Sequence, residues 1–351
     1  MKHRLSLWCR YGRVGASSRL RFGQFVPELE QAGLVSDMHN FFDDEYLKRL
    51  YAGKGKSKKS FILALFRRIK ELCALPPDVP MIIEYELFPF MPWLIEKLFI
   101  GKRRYILNFD DAVDLRYRKI PFLRSKYPRL IANAAGVIVA NDELLERFSQ
   151  YNQNIFKLPT VPPPPPETSA IFPKGEILRI GWIGTPVTYA FLQKHTAVLQ
   201  KMYRIHPFEL LVIARENLPE IPGIQAKYVN WSMENEHSLL QSCHIGIMPL
   251  DDSSFARGKS AFKLIQYLRA GIPALASAIG ENTKVIQQGK TGFCASTSQE
   301  WIDFWQFLAD EKNRAAMAGY IAAEAEKYSF YLNASQLIEI IKSTFYTENH
   351  E

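Results

Sequence analysis

The 351-residue chain is 47% hydrophobic and 13% aromatic, with 44 Lys and Arg against 36 Asp and Glu for a net charge of +8. That length suits two domains of ordinary size, and the apolar content fills packed cores, which argues against a disordered chain. Four scattered cysteines (Cys9, Cys73, Cys243, Cys294) show no CxxC or Cys/His metal spacing and fit a reducing cytosol better than a disulfide framework.

In chain order, the start MKHRLSLWCRYGRVG has too short an apolar piece for a signal peptide, and Leu5–Tyr11 reads as a first strand. No run of about 18 apolar residues follows anywhere, so no bilayer span is expected and the chain is read as cytoplasmic. After the small-residue loop GRVGASS, Arg19 to Gln31 reads as a helix ending at Gly33. Its Leu20, Phe25 and Leu29 keep helical spacing, and Pro27 kinks or delays it. A strand over Val35–Phe42 precedes a basic amphipathic helix over Lys56–Leu75. Strand Met81–Tyr85, a helix around Pro92–Phe99 and strand Tyr105–Phe109 come next. A helix about Pro128–Ala135, strand Gly136–Ala140 and helix Asp142–Tyr151, capped by Asn141 or Asp142, complete this half. Such βα alternation predicts a parallel sheet with helices on both faces.

Charge is unevenly spread. Residues 1–166 carry 27 Lys and Arg against 17 Asp and Glu, a net +10, whereas the remaining residues net −2. The asymmetry points to an acidic partner for the N-terminal half. It concentrates in segment 54–72, where Lys54, Lys56, Lys58 and Lys59 precede FILALFRRIKEL, with Phe61, Leu65, Ile69 and Leu72 at helical spacing. Such a helix either lies on an anionic membrane surface, making the protein peripheral there, or packs as a core helix with a solvated basic face. No nucleic-acid-binding module is recognisable, so nucleic acid is not an expected partner.

Residues 158–167, LPTVPPPPPE, form a linker, because five consecutive prolines cannot enter a helix or central strand. The expected organisation is a first domain over 1–157, a linker over 158–174, a second domain over 175–330 and a final helix in 331–351. The second half opens with LRIGWIGTPVTYAFLQKH, in which strand, Gly184-Thr185-Pro186 turn and helix make a phosphate-facing corner. It is neither GxGxxG nor a P-loop. YVNWSMENEHSLL then sets Trp231 between strand Lys227–Asn230 and a helix from Glu234, with Glu234 and Glu236 as first-turn helix charges.

The most informative stretch is 245–282, IGIMPLDDSSFARGKSAFKLIQYLRAGIPALASAIGEN. An apolar strand, Ile245 to Leu250, enters a loop with Arg257 and Lys259. Helix Phe262–Ala270 follows, carrying Lys263 and Gln266, and Gly271 stops it before strand Ala274–Ser277. Ligands of open parallel sheets bind beyond the carboxyl ends of the strands, and three cations there suit phosphate. Asn282 starts the next helix, and 299–346 is almost entirely helical.

Over about residues 177–330 this half resembles the nucleotide-sugar domain of glycosyltransferase family 4. Members carry a Glu-Ala-x-x-x-Gly-x-Pro-like run with a second Glu eight positions earlier. Here QYLRAGIP fills the run, so Gln266 stands at the later Glu and Gly258 at the earlier one. An Arg-Gly-Lys followed by Phe-Lys, as in one branch of the family, leads into the helix. The resemblance implies an α/β GT-B fold: two Rossmann-like domains facing a cleft, with C-terminal helices bracing the first. It implies a retaining transfer of a sugar from a nucleotide-diphosphate sugar to the hydroxyl of a glycan or lipid-linked acceptor, in bacterial cell-surface polysaccharide or glycolipid synthesis.

On this resemblance Gly184, Thr185, Arg257, Lys259, Lys263 and Asn282 face the donor diphosphate, Asn282 either adding backbone amides or only capping. Gln266 faces the ribose, while Trp231 either lines the base pocket or packs in the core. Gly15, Ser17, Ser18 and Arg19 form an acceptor-side loop. Asp110 and Asp111, ending strand Tyr105–Phe109, either hold a sugar hydroxyl or act as a base, or cap the next turn. With Arg257 and Lys263 they are the candidate catalytic residues, and Glu84 and Glu86 are lesser ones. No cofactor or metal is expected, the nucleotide-sugar being substrate. The missing Glu pair keeps two other readings open: a non-catalytic nucleotide-sugar binding or partner subunit, and a GT-B-type sugar-nucleotide epimerase.

Overall fold

The computed structural model describes residues 3–12, 14–51, 55, 57–165, 177–215 and 218–346. Lys54, Lys56 and linker positions 166–174 lie outside them. The chain divides into two compact units, residues 1–160 with 331–351, and residues 161–330.

The first unit holds strands β1 (His3–Tyr11), β2 (Leu34–Phe42), β3 (Met81–Glu84), β4 (Tyr105–Phe109), β5 (Gly136–Val139) and β6 (Ile155–Lys157). They form one parallel sheet in the order β2-β1-β3-β4-β5-β6. Every residue of β3, β4 and β5 is buried, as expected of parallel strands covered on both faces. The expected 19–31 helix is instead three short pieces: Ala16–Arg21, a 3-10 turn Gly23–Phe25, and Val26–Gln31. Pro27 falls in the first turn of the last piece, where its missing N–H has no helical partner to lose. Helix Asp44–Tyr51 was not anticipated from the sequence.

Helix Lys58–Ala74 is capped by Ser57, whose hydroxyl accepts from the Ser60 N–H. It turns Phe61, Leu65, Ile69 and Leu72 onto the core, so this seam serves packing. Helices Trp93–Ile100 and Lys126–Ala132 sit one to two residues from their expected starts. Asn141 caps helix Asp142–Ser149, accepting from the Leu144 N–H at 2.8 Å. Helix Phe330–Phe345 runs into this same unit, where Arg104 donates to the Thr344 and Phe345 carbonyls and Tyr346 Oη donates to the Arg4 carbonyl.

The second unit holds β7 (Arg179–Ile183), β8 (Glu209–Ala214), β9 (Ala226–Asn230), β10 (Ile245–Met248), β11 (Ala274–Ser277) and β12 (Gly292–Ala295). They too pair in parallel, in the order β12-β11-β10-β7-β8-β9. The chain builds outward from β7 to β9, then returns to the other side of β7. Loops after β7 and β10 therefore leave in opposite directions and open a crevice beyond the strand ends. In the first unit the same reversal falls between β1 and β3. These two reversals position the candidate residues.

Among the described residues, no helix is long and apolar enough to cross a membrane.

Candidate active site

In the second unit, β7 ends at Ile183, just before Gly184, and helix Pro186–Lys194 begins under a capping box made by Thr185 and Thr188. A Cβ on Gly184 would stand 2.6 Å from Thr188 Oγ1 and from the Trp182 ring, so only glycine lets the backbone pass here. Facing this corner is Lys263, in the first turn of helix Phe262–Arg269. Its ammonium donates to Thr188 Oγ1 at 3.3 Å and lies 4.3 Å from the centroid of Trp182. Lys263 is half-buried, and among the described residues no carboxylate pairs with it. Burial, reinforced by repulsion from Lys259, holds its amine well below the ordinary lysine range. An arriving anion opposes that shift, because it supplies the charge partner the buried amine lacks and so favours the ammonium. Ala261, just before the helix, sits at φ +52°, a strained left-handed conformation that fixes where the helix starts.

The other cations disperse. Half-buried Lys259 stacks 4.4 Å from the Phe255 centroid, and exposed Arg257 pairs with exposed Asp252 at 2.7 Å. Lys194 is taken up by Asp251 at 2.5 Å. Asn282 is buried and its amide donates to the Ser277 carbonyl at 3.0 Å, so its side chain braces the end of β11.

Beyond Lys263 along the same helix, buried Gln266 donates to Glu236 Oε1 at 2.7 Å, while the Trp231 indole donates to Glu236 Oε2 at 2.6 Å. Arg215 lies 4.5 Å from the Trp231 centroid. Trp231 is half-buried, between the two roles expected of it. Glu236 was read from the sequence as a helix-start charge; its place five residues after a loop tryptophan was the available signal. Glu236 and Gln266 line a shallow pocket with His237, Arg269 and the linker prolines 162–165.

In the first unit, Ser17 and Ser18 donate to Glu84 at 2.7 and 2.5 Å, and the Arg10 N–H donates to the same carboxylate at 2.7 Å. Gly15 is required because a Cβ would come within 2.3 Å of Tyr11 Cβ. The expected acceptor-side loop is mostly helix: Gly15 precedes helix Ala16–Arg21, which holds Ser17, Ser18 and Arg19, and its first turn is latched onto the end of β3. Arg19 is half-buried beside it. Arg21 is buried against Asn108 and the Leu158 carbonyl, and burial lowers its guanidinium to about 10.

Asp110, buried at the end of β4, accepts from Tyr85 Oη. Burial, with repulsion from Asp111 and Glu84, pushes its carboxyl up to about 8. Tyr85 itself is held at φ +61°. Neither aspartate caps the following 3-10 turn Val113–Tyr117, which has no side-chain cap; Asp111 is half-buried beside Asp110. Glu86 joins a different cluster, with Arg10 and Lys126 each at 2.6 Å, and Lys126 reaches Glu96 at 2.8 Å. That buried ion network holds the core together and leaves Glu86 no free oxygen for chemistry. Among the described residues, no three His, Cys, Asp or Glu side chains are grouped to hold a metal ion.

No protein-family model matches the chain. A D-inositol 3-phosphate glycosyltransferase of Corynebacterium urealyticum is 30% identical over 109 residues, covering 30% of this chain and 24% of that protein. The chain therefore matches about a quarter of the length of this curated relative. Among solved structures, sucrose-phosphate synthase from Thermosynechococcus elongatus superposes with a TM-score of 0.67 at 11% identity, covering 99% of this chain and 100% of that one. Anabaena HepE, solved with UDP-glucose, gives 0.68 at 11% identity over 97% and 99%. Staphylococcus aureus TarM, solved with fondaparinux, α-GlcNAc-glycerol and UDP, gives 0.60 at 14% identity over 81% and 59%. Two doubly wound, six-stranded parallel sheets matched to these proteins over nearly the whole chain identify the fold of this protein as GT-B, the fold of these glycosyltransferases.

Proposed function

We propose that the protein is a glycosyltransferase similar to family 4, moving a sugar from a nucleotide-diphosphate donor to an acceptor hydroxyl with retention. The observation that carries this reading is Lys263: a half-buried ammonium at the strand reversal, without a carboxylate partner among the described residues, beside a glycine corner and a helix start. That the similarly folded HepE was solved with UDP-glucose supports a nucleotide-sugar there. Lys263, Lys259 and the amides after Gly184 hold the diphosphate. Charge grows on that diphosphate as the sugar leaves, so fixed cations favour the transition state over the ground state. Arg257, released from its exposed pair with Asp252, closes on the same group. Gln266 and Glu236 take the ribose hydroxyls, and Trp231 borders the base.

In the first unit Asp110 and Tyr85 hold the acceptor hydroxyl. In retaining transfer the departing phosphate accepts the hydroxyl proton, so Asp110 orients rather than deprotonates. The acceptor is a glycan or a lipid-linked glycan of cell-surface synthesis, and the basic segment 54–72 brings the protein to the inner face of an anionic membrane. No metal or cofactor has a part in this assignment.

The test is calorimetry with UDP-, GDP-, ADP- and dTDP-sugars, then with the matching nucleoside. Lys263→Ala should weaken the diphosphate ligand about tenfold or more, equivalent to ~1.4 kcal/mol, and leave the nucleoside nearly unchanged. Arg257→Ala should do the same more weakly. Equal loss for both ligands, or none, overturns the phosphate assignment. The absence of carboxylates at Gly258 and Gln266 favours one second reading, a binding subunit without turnover, which affinity with neither transfer nor donor hydrolysis would establish.

A further inference from the structure

Helix Lys58–Ala74 has an apolar side that its own fold leaves uncovered. Opposite the core seam, Lys59, Leu63, Phe66, Lys70 and Cys73 follow one another at spacings of four and three, which is a single helical stripe. Ile62, Leu63 and Phe66 are 51%, 58% and 66% exposed. These are different residues from Phe61, Leu65 and Ile69, which the core consumes. Helix Trp93–Ile100 packs beside this one and exposes Leu94 and Leu98 by 68% and 71%, with exposed Lys97 between them. Grouped large apolar side chains of this kind mark an interaction surface.

The cations say what covers it. Lys59 opens the stripe, with exposed Lys58 next to it, and Lys70 stands near its other end, about 16 Å further along the helix axis. No acidic residue stands on the stripe. A second copy docking face to face would set lysine against lysine. An apolar centre with lysines at both ends, whose stems can reach back to the headgroups, matches the interface of an anionic bilayer.

We propose that these two helices insert into an anionic lipid surface, with Leu63, Phe66, Leu94 and Leu98 entering the acyl boundary and Lys58, Lys59, Lys70 and Lys97 at the phosphates. This deepens the peripheral-membrane reading and rests on it for the partner, but differs in mechanism. Attraction by charge alone lapses as salt screens it, whereas buried apolar side chains keep their hold.

Exposed Cys73 lies on the stripe, while Cys9 and Cys243 are buried. With Cys294→Ser as background, Cys73 is labelled with an environment-sensitive fluorophore. The protein is then sedimented with vesicles of phosphatidylcholine, alone or mixed with phosphatidylglycerol, at low and high salt. The expected result is binding to the anionic vesicles, a blue shift of the probe, and a fraction still bound at high salt. The pairs Leu63→Gln with Phe66→Gln, and Leu94→Gln with Leu98→Gln, should each abolish the salt-resistant fraction; exposed positions leave the melting temperature unchanged. Complete release at high salt without a blue shift overturns insertion but keeps charge-driven docking. No binding to anionic vesicles overturns both. A blue shift without lipid that grows with protein concentration assigns the surface to a second copy and overturns the proposal. Donor affinity, measured on the same variants, should stay at the wild-type value, so the glycosyltransferase reading is judged separately.

Discussion

Gln266 shows how one neighbour reverses a sequence expectation. By the resemblance a Glu belongs there, so Gln266→Glu reads as harmless. The structure sets Glu236 2.7 Å from the Gln266 amide, and the substitution would face two carboxylates across a buried gap. Like charges at that distance cannot both ionise without cost. Gln266→Glu should therefore destabilise the second unit by about 1–3 kcal/mol at pH 8 and much less at pH 5, where one proton is shared. Adding Glu236→Gln should restore stability. Urea unfolding at the two pH values checks both; a single variant as stable as wild type at pH 8 would place Glu236 out of reach. Asp110 gives a second pH effect. The folded protein keeps its proton up to about 8, whereas an unfolded aspartate loses it near pH 4. Between these values the folded state binds the extra proton, so stability falls as pH rises and levels off above about 8. The slope is at most ~1.4 kcal/mol per pH unit from this group. Asp110→Asn should flatten that part of the stability–pH curve, and an unchanged slope would mean that Asp110 ionises normally.

At the scale of elements, the helix carrying Lys263 and Gln266 is seated on β10 through one contact that tolerates no extra atom. A Cβ at Gly246 would lie 2.3 Å from the Tyr267 ring, whose hydroxyl donates to the Ile247 carbonyl at 3.0 Å. Gly246→Ala should cost roughly 1–3 kcal/mol by forcing the helix off the sheet. Moving Lys263 away from Thr188 should also weaken diphosphate binding. Gly319, inside helix Glu311–Glu326 with open space around it, is the contrasting site. Gly319→Ala should raise stability by about 0.5–1 kcal/mol through helix propensity, without touching ligand affinity. Thermal melts with and without UDP distinguish the two; equal effects would mean that the Gly246 contact is not tight.

At the scale of the molecule, the chain returns to its starting unit. Helix Phe330–Phe345 buries Leu337, Ile341 and Phe345 in the unit that begins with β1, and Arg104 holds its last carbonyls. Deleting residues 331–351 should lower the melting of the first unit by several degrees or unfold it, while the second keeps its transition. Calorimetry with and without a nucleotide ligand assigns the transitions, since only the second unit is expected to shift. A deletion that leaves both transitions in place would remove this helix from the first unit's core.

Much of this architecture is written locally. Short, largely apolar runs such as MIIE and YILNF fit strands covered on both faces, and their alternation with amphipathic segments points to parallel doubly wound sheets. The strand–turn–helix corner at Gly184–Pro186 and the helix that carries Lys263 could be read for the same reason, because each is a property of a few consecutive residues. What needed the tertiary structure were pairings between distant segments: Glu236 with Gln266, Ser17 and Ser18 with Glu84, Tyr85 with Asp110. Helical spacing reveals that Lys58–Ala74 is amphipathic, yet it is apolar enough on two sides that only the sheet beneath it decides which side is core. Of the cations that look like one group in the sequence, Arg257 is drawn aside by the carboxylate of Asp252, while Lys263, with Lys259 near enough to repel it, stands at the strand reversal. Charge partners are chosen by proximity after folding, and sequence separation carries almost no record of it.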